Sequence, residues 1–350
     1  MKERAVRPTV QMVHMFEDDD SQEPLADLTE SLTVKSKRTE RQKKKLQKKA
    51  KPNSNRDVGL LDLPYELLLS IISHLRPTDL IRLLHVNRAL HQFIRGDEPH
   101  IAQQIIEYRY GCLEKCFRLP APIKNVDPAH HQALRHNLPQ KYYHHIQRPD
   151  HELVCACMTC LNRWNCLCLA VDFHYWQHNL DVGQPIPIIP RGGSPEWNVQ
   201  LIARNAWLVY KAINSPLTYA TILEWHLDSI TRSIQRHAQN KFNRRSRFSM
   251  TQADVDGGRD AFLNGLGPPT IDFPYHRDSY YLLEAYIPNR SWIKERNEWV
   301  YMPAEQHEKD VEIAVMWAAW RKKREQSLAD GREEPSRRPA TSRPTIHSSE

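Results

Sequence analysis

Residues 60–94 read LLDLPYELLLSIISHLRPTDLIRLLHVNRALHQFI, and 19 of these 35 residues are apolar or aromatic. That is more apolar surface than one surface helix can use. Pro64 suits a first helical turn, where its missing N–H costs nothing, and Glu66 complements the positive end of the helix dipole. Leu67, Leu68, Ile71, Ile72 and Leu75 recur at i, i+1, i+4, i+5 and i+8, the spacing of a wide apolar face on a helix running to about His74. Pro77, Thr78 and Asp79 then supply a second helix start, with Leu80, Leu83 and Leu84 behind it. A third helix from about Asn87 to Ile94 contributes Leu90, Phe93 and Ile94. Three short helices cannot bury this much apolar surface among themselves, so part of it is expected to meet a partner.

The rest of the 350-residue chain sets this segment in context. The formal net charge is +7, but Lys35–Lys51 alone holds ten Lys or Arg against Glu40, a net +9 that leaves −2 for everything else. A basic surface that tracks phosphates should raise the charge of the folded part, and here the folded part is close to neutral. The run KSKRTERQKKKLQKKAK, with Lys43, Lys44, Lys45, Lys48 and Lys49 at its centre, reads as a nuclear-import candidate, a nucleic-acid-binding arm or a solvated linker.

Residues 1–57, with an acidic patch at Glu17–Asp20 and few aromatics, are expected to be a disordered arm, and 328–350 a disordered tail. Between them apolar residues recur mainly at three- and four-residue intervals, which predicts a mainly α fold. Candidate helices fall at about 98–116, 151–170, 198–213, 217–238 and 304–327, with no alternating strand run. No apolar stretch approaches a membrane span and no signal-peptide run opens the chain, so a soluble, intracellular protein with reduced thiols is expected.

The order Leu63-Pro64-x-Glu66-Leu67-Leu68-x-x-Ile71, then Leu75-x-Pro77-x-Asp79-Leu80, then Leu84-x-Val86-Asn87-Arg88 resembles the F-box motif. The downstream run EPHIAQQIIEYRYGCLEKCFRLP, and a helical rather than repeat-based continuation, are similar to fungal F-box proteins. The family's frequent closing Leu-Trp pair is absent; Phe93-Ile94 stands at the comparable stage. The resemblance implies a three-helix F-box module at 58–96, docking on the Skp-type adaptor of an SCF ubiquitin ligase, followed by an irregular helical substrate-recognition domain at 97–327. Carried over position by position, the adaptor-facing residues are Leu63, Pro64, Leu67, Leu68, Ile71, Leu75, Leu80, Leu84 and Val86. The implied partners are the adaptor, through it cullin and RING subunits, and a protein substrate. An adaptor-bound scaffold without cullin, and a nuclear nucleic-acid-binding protein acting through the Lys-rich arm, are the competing readings.

Residues 155–168, CACMTCLNRWNCLC, hold five of the seven Cys, with His144, His145 and His151 before them and His174 and His178 after. Cys157-x-x-Cys160 is an acceptable zinc pair, whereas Cys166-x-Cys168 is a poor second pair, too close to the first. On a helix, Leu153, Cys157, Cys160, Leu161, Trp164, Cys168 and Val171 share one face, so buried thiols account for more positions and no metal ligands are assigned.

No serine-hydrolase elbow, phosphate loop, zinc-protease helix or dinucleotide fingerprint is found, so neither catalysis nor a cofactor is expected. Gly192-Gly193 and Gly257-Gly258 read as turns. The later tryptophans (Trp197, Trp207, Trp225, Trp292, Trp299, Trp317, Trp320) are expected mainly in the core. The basic end of VEIAVMWAAWRKKR is expected at a helix C-terminus.

Overall fold

In the computed structural model of the protein, the described residues are 60–135, 146–184, 186–187, 189, 193–239, 250–265, 287–288, 290–301 and 306–329. All lie in the compact unit Gly59–Glu350. The Lys-rich run, with the import candidates Lys43, Lys44, Lys45, Lys48 and Lys49, lies outside them, as do His144, His145 and nearly all of the expected tail.

The fold is mainly α. After a short 3-10 turn at Leu60–Asp62 come α1 (Tyr65–Ser73), α2 (Pro77–Leu84) and α3 (Arg88–Gly96), then α4 (Glu98–Arg109) and α5 (Gly111–Cys116). Further along are α6 (Pro128–Arg135), α7 (Met158–Tyr175), α8 (Gln177–Val182), α9 (Glu196–Asn214), α10 (Pro216–Gln239), α11 (Gln252–Gly257) and α12 (Gln306–Ala329). Strands β1 (Arg290–Ile293) and β2 (Glu298–Tyr301) form an antiparallel hairpin, with Trp292 opposite Trp299.

Local signals explain the first three helices. Pro64 stands immediately before α1 and Pro77 is the first residue of α2, positions where proline removes no needed donor. Asn87 caps α3 by accepting the Leu90 N–H at 2.8 Å. Ile72, Leu80 and Ile94, one from each helix, are buried together with Ile101 and Ile105 of α4. The hub is α10, on which α2, α4, α7 and α9 all pack. Its Ala220, Ile222, Leu223, His226 and Ile230 are fully enclosed, and the His226 ring packs edge-on against Phe117 with centroids 4.4 Å apart.

The structure departs from several expectations. The stretch 98–116 is two helices, breaking at Tyr110, whose backbone sits at φ −125° and ψ 27°. The residues 151–157 precede α7, so Leu153 does not share its buried face and is exposed. The β-hairpin was not expected; the polar turn Lys294–Asn297, with Asn297 at φ 52°, separates two short strands of aromatic and β-branched residues. Leu328 and Ala329, placed in the tail by composition, end α12. The basic run Arg321–Arg324 lies short of the end of α12, whose last turn carries no basic residue, so macrodipole complementarity does not account for it. Trp225 is buried as expected, whereas Trp197 and Trp207 are exposed.

Candidate adaptor-docking surface and a cysteine–histidine cluster

Helix α1 has two apolar faces. Leu68, Leu69 and Ile72 turn inward and are buried, while Leu67 and Ile71, a helical turn apart, remain 54% and 43% exposed. Leu60, Tyr65 and Val86 are exposed as well, the last at 64%. The first 27 residues of the described chain thus carry five exposed large apolar side chains over a packed inner face. Scattered exposed apolar residues are ordinary; a concentration of them in one small module is the mark of an interaction surface.

The nine positions read from the motif separate into three groups. Pro64, Leu67, Ile71 and Val86 are exposed, and Leu63 and Leu75 are half-buried. Leu68, Leu80 and Leu84 are buried, covered by the chain's own helices. They underlie the exposed apolar face. Leu60, three residues before the motif, and Tyr65, at an unspecified position within it, belong to the same exposed apolar set, and their only sequence signal is membership of the same apolar run.

Side chains from distant elements hold this module in place. The Glu224 carboxylate of α10 accepts the Thr78 N–H at 2.9 Å and the Thr78 hydroxyl at 2.8 Å, closing the N-terminus of α2. Arg76, before that helix, offers no side-chain cap and pairs with Asp228 at 3.9 Å. Burial pushes the carboxyl pKa values of both Glu224 and Asp228 upward. Arg109 of α4 donates to the carbonyls of His74, at the end of α1, and Gly257, at the end of α11. Glu98 accepts from the Leu217 N–H at 3.1 Å and from the Ser215 hydroxyl at 2.5 Å at the start of α10. Glu224, Arg109 and Glu98 each supply a partner to a backbone group at a helix end.

All seven cysteines are buried, with no disulfide. Among the described residues, three of them gather with a distant histidine: Cys155, Cys157, Cys160 and His307 present ligand-type atoms within 4.8 Å of one another. Cys166 and Cys168 stay apart from this group. Cys157 caps α7, its sulfur accepting the Cys160 N–H at 3.4 Å. The Nδ1 of His307, from the first turn of α12, lies 3.3 Å from the sulfurs of both Cys157 and Cys160. The neighbouring sulfurs push the His307 imidazole pKa up to about 12.

The family model of the F-box-like domain matches residues 60–99, the module whose helices and exposed face are described above. The chain carries an F-box-like domain, and domains of this family bind Skp-type adaptors. No curated protein and no solved structure matches the chain. No described helix is long and apolar enough to cross a membrane.

Proposed function

We propose that the protein is a non-catalytic substrate receptor of an SCF-type ubiquitin ligase, docking on the Skp-type adaptor through residues 60–94 and presenting a protein substrate from the helical body. The observation that carries this reading is the split of α1 into a buried face and an exposed apolar face within the F-box-like module. Pro64, Leu67, Ile71 and Val86 supply the contact surface, with Leu63 and Leu75 at its margin. Leu68, Leu80 and Leu84 hold the surface in shape. In such an assembly the receptor acts by proximity: it raises the effective concentration of substrate lysines near a ubiquitin-conjugating enzyme that other subunits recruit. The Lys-rich run from Lys43 to Lys49 acts as an import signal, so that the receptor works in nucleus as well as cytoplasm; its fusion to a reporter tests this.

The test is affinity purification of the full chain beside a Leu63→Ala, Pro64→Ala, Leu67→Ala triple variant, with mass spectrometry of the captured proteins. The intact chain should bring down the Skp-type adaptor and a cullin, and the variant should lose both while keeping its helical circular dichroism. Adaptor without cullin would indicate a regulator or scaffold. Absence of the adaptor from the intact chain would overturn the docking role.

A further inference from the structure

We propose that Cys155, Cys157, Cys160 and His307 form a structural zinc site that fastens α12 to the start of α7. Zinc in closed sites takes four sulfur or nitrogen ligands tetrahedrally, with Zn–S near 2.3 Å and Zn–N near 2.0–2.1 Å. Those bond lengths place ligand atoms about 3.6 Å apart across a sulfur–nitrogen edge and about 3.8 Å apart across a sulfur–sulfur edge. The His307 Nδ1 stands 3.3 Å from two of the sulfurs, and the whole set spans no more than 4.8 Å. A set this tight surrounds a single ion, and three thiolates with one imidazole match zinc's ligand preference.

Backbone contacts hold the three sulfurs in place. Each sulfur accepts a backbone N–H: Cys155 from Cys157 at 3.4 Å, Cys157 from Cys160 at 3.4 Å and Cys160 from Ala121 at 3.3 Å. Cys157 and Cys160 lie at the N-terminus of the 18-residue α7. Val126, Leu134, Val311 and Ala314 enclose the sulfurs in an apolar shell. With four protein ligands and this shell no coordination position stays open, which makes the role structural.

The chain also builds the histidine's approach without help from the metal. Asp310, one helical turn beyond His307, accepts the Thr159 N–H at 2.9 Å and the Thr159 hydroxyl at 2.5 Å. That cap docks α12 on the N-terminus of α7 and brings His307 onto the sulfurs. The Cys-x-Cys-x-x-Cys run supplies three ligands locally, and the fourth arrives from 147 residues beyond Cys160.

The experiment is elemental analysis of the full chain, purified by gel filtration in metal-free buffer, followed by replacement with cobalt(II) and absorption spectroscopy. Wild type and a Cys168→Ser control, which alters a buried thiol of the same helix outside the cluster, should each hold about one zinc per chain. The cobalt form should show intense thiolate-to-cobalt bands and the visible bands of tetrahedral cobalt. Cys157→Ser should lower zinc content at least about tenfold, and His307→Ala should release zinc to a competing chelator at least about tenfold more readily. Metal-free wild type, an octahedral cobalt spectrum, or unchanged zinc in Cys157→Ser would each overturn the site. The wild-type cobalt spectrum keeps the test decisive should a variant fail to fold.

Discussion

Glu224 caps a helix whose second residue, Thr78, lies 146 residues before it: its two carboxylate oxygens take the backbone N–H and the hydroxyl of Thr78, at 2.9 and 2.8 Å. The second helix of the F-box-like module therefore owes its start to the central helix of the body. With Arg109 closing the end of α1 and Glu98 the start of α10, module and body share their helix ends. The exposed apolar face of the module is set on a scaffold to which α10 contributes.

Glu224→Ala should destabilise the protein by about 1–2 kcal/mol, the usual cost of losing a helix N-cap. Urea titration of full-length protein checks this. Glu224→Gln, which keeps an acceptor, should recover part of the loss. Equal stability of wild type and Glu224→Ala would show that the cap contributes nothing.

Asp260 should make stability fall as pH rises from about 4 to about 6. Its carboxylate accepts the N–H groups of Cys112 and Leu113, both at 2.8 Å, yet burial pushes its pKa from 3.8 up to about 6. A carboxyl whose folded pKa exceeds its unfolded value contributes stability that is fully present below the unfolded value and is lost as pH passes through the folded one. A shift of about two pKa units corresponds to at most about 3 kcal/mol. Asp260→Asn keeps an acceptor oxygen and removes the titration, so its chemical-denaturation free energy should decline less across that window. Parallel pH profiles for the two proteins would contradict the assignment.

Gly258 ends α11 at φ +56°, and a Cβ there would meet the guanidinium groups of Arg76 and Arg109 at 3.3 and 3.4 Å. Gly258→Ala should cost about 1 kcal/mol or more, since the left-handed conformation penalises any Cβ and Arg109 holds the ends of α1 and α11. A thermal shift of a few degrees downward is the expected reading. An unchanged melting temperature would show that the turn relaxes freely.

The module's helices were legible because their signals are local: a proline at each of the first two starts, Asn87 at the third, and apolar residues at helical spacing. What spacing could not supply was the division of that surface, since Leu67 and Leu68 are equivalent until α4 packs on one side of α1. The same limit hid the cysteine–histidine cluster. Ligand-spacing rules look for a second pair close by, so Cys166 and Cys168 drew attention, while Cys155 and His307 complete the group through the docking of α12. The hairpin escaped because each strand has only four residues, too few for alternation to stand out, and Trp299 on β2 is secured by a long-range bond to the Gly265 carbonyl at 3.1 Å.

Leu67 and Leu68 are adjacent in sequence and should differ in what they do. Leu68 is 4% exposed in the inner face of α1, so Leu68→Ala should cost about 2–5 kcal/mol of stability through lost burial and the cavity left behind. Leu67 is 54% exposed, so Leu67→Ala should change stability by less than about 0.5 kcal/mol. Binding should rank them the other way at matched folded fraction. Truncating an interface anchor typically costs about 2 kcal/mol, so purified Leu67→Ala should bind a purified Skp-type adaptor about thirtyfold more weakly by calorimetry. Leu68→Ala, assayed at a temperature where it stays folded, should bind within a few-fold of wild type. If Leu67→Ala binds as tightly as wild type, the exposed face of α1 is not the docking surface; if Leu68→Ala alone weakens binding while its fold is intact, the adaptor opens the module to reach residues that the free protein buries.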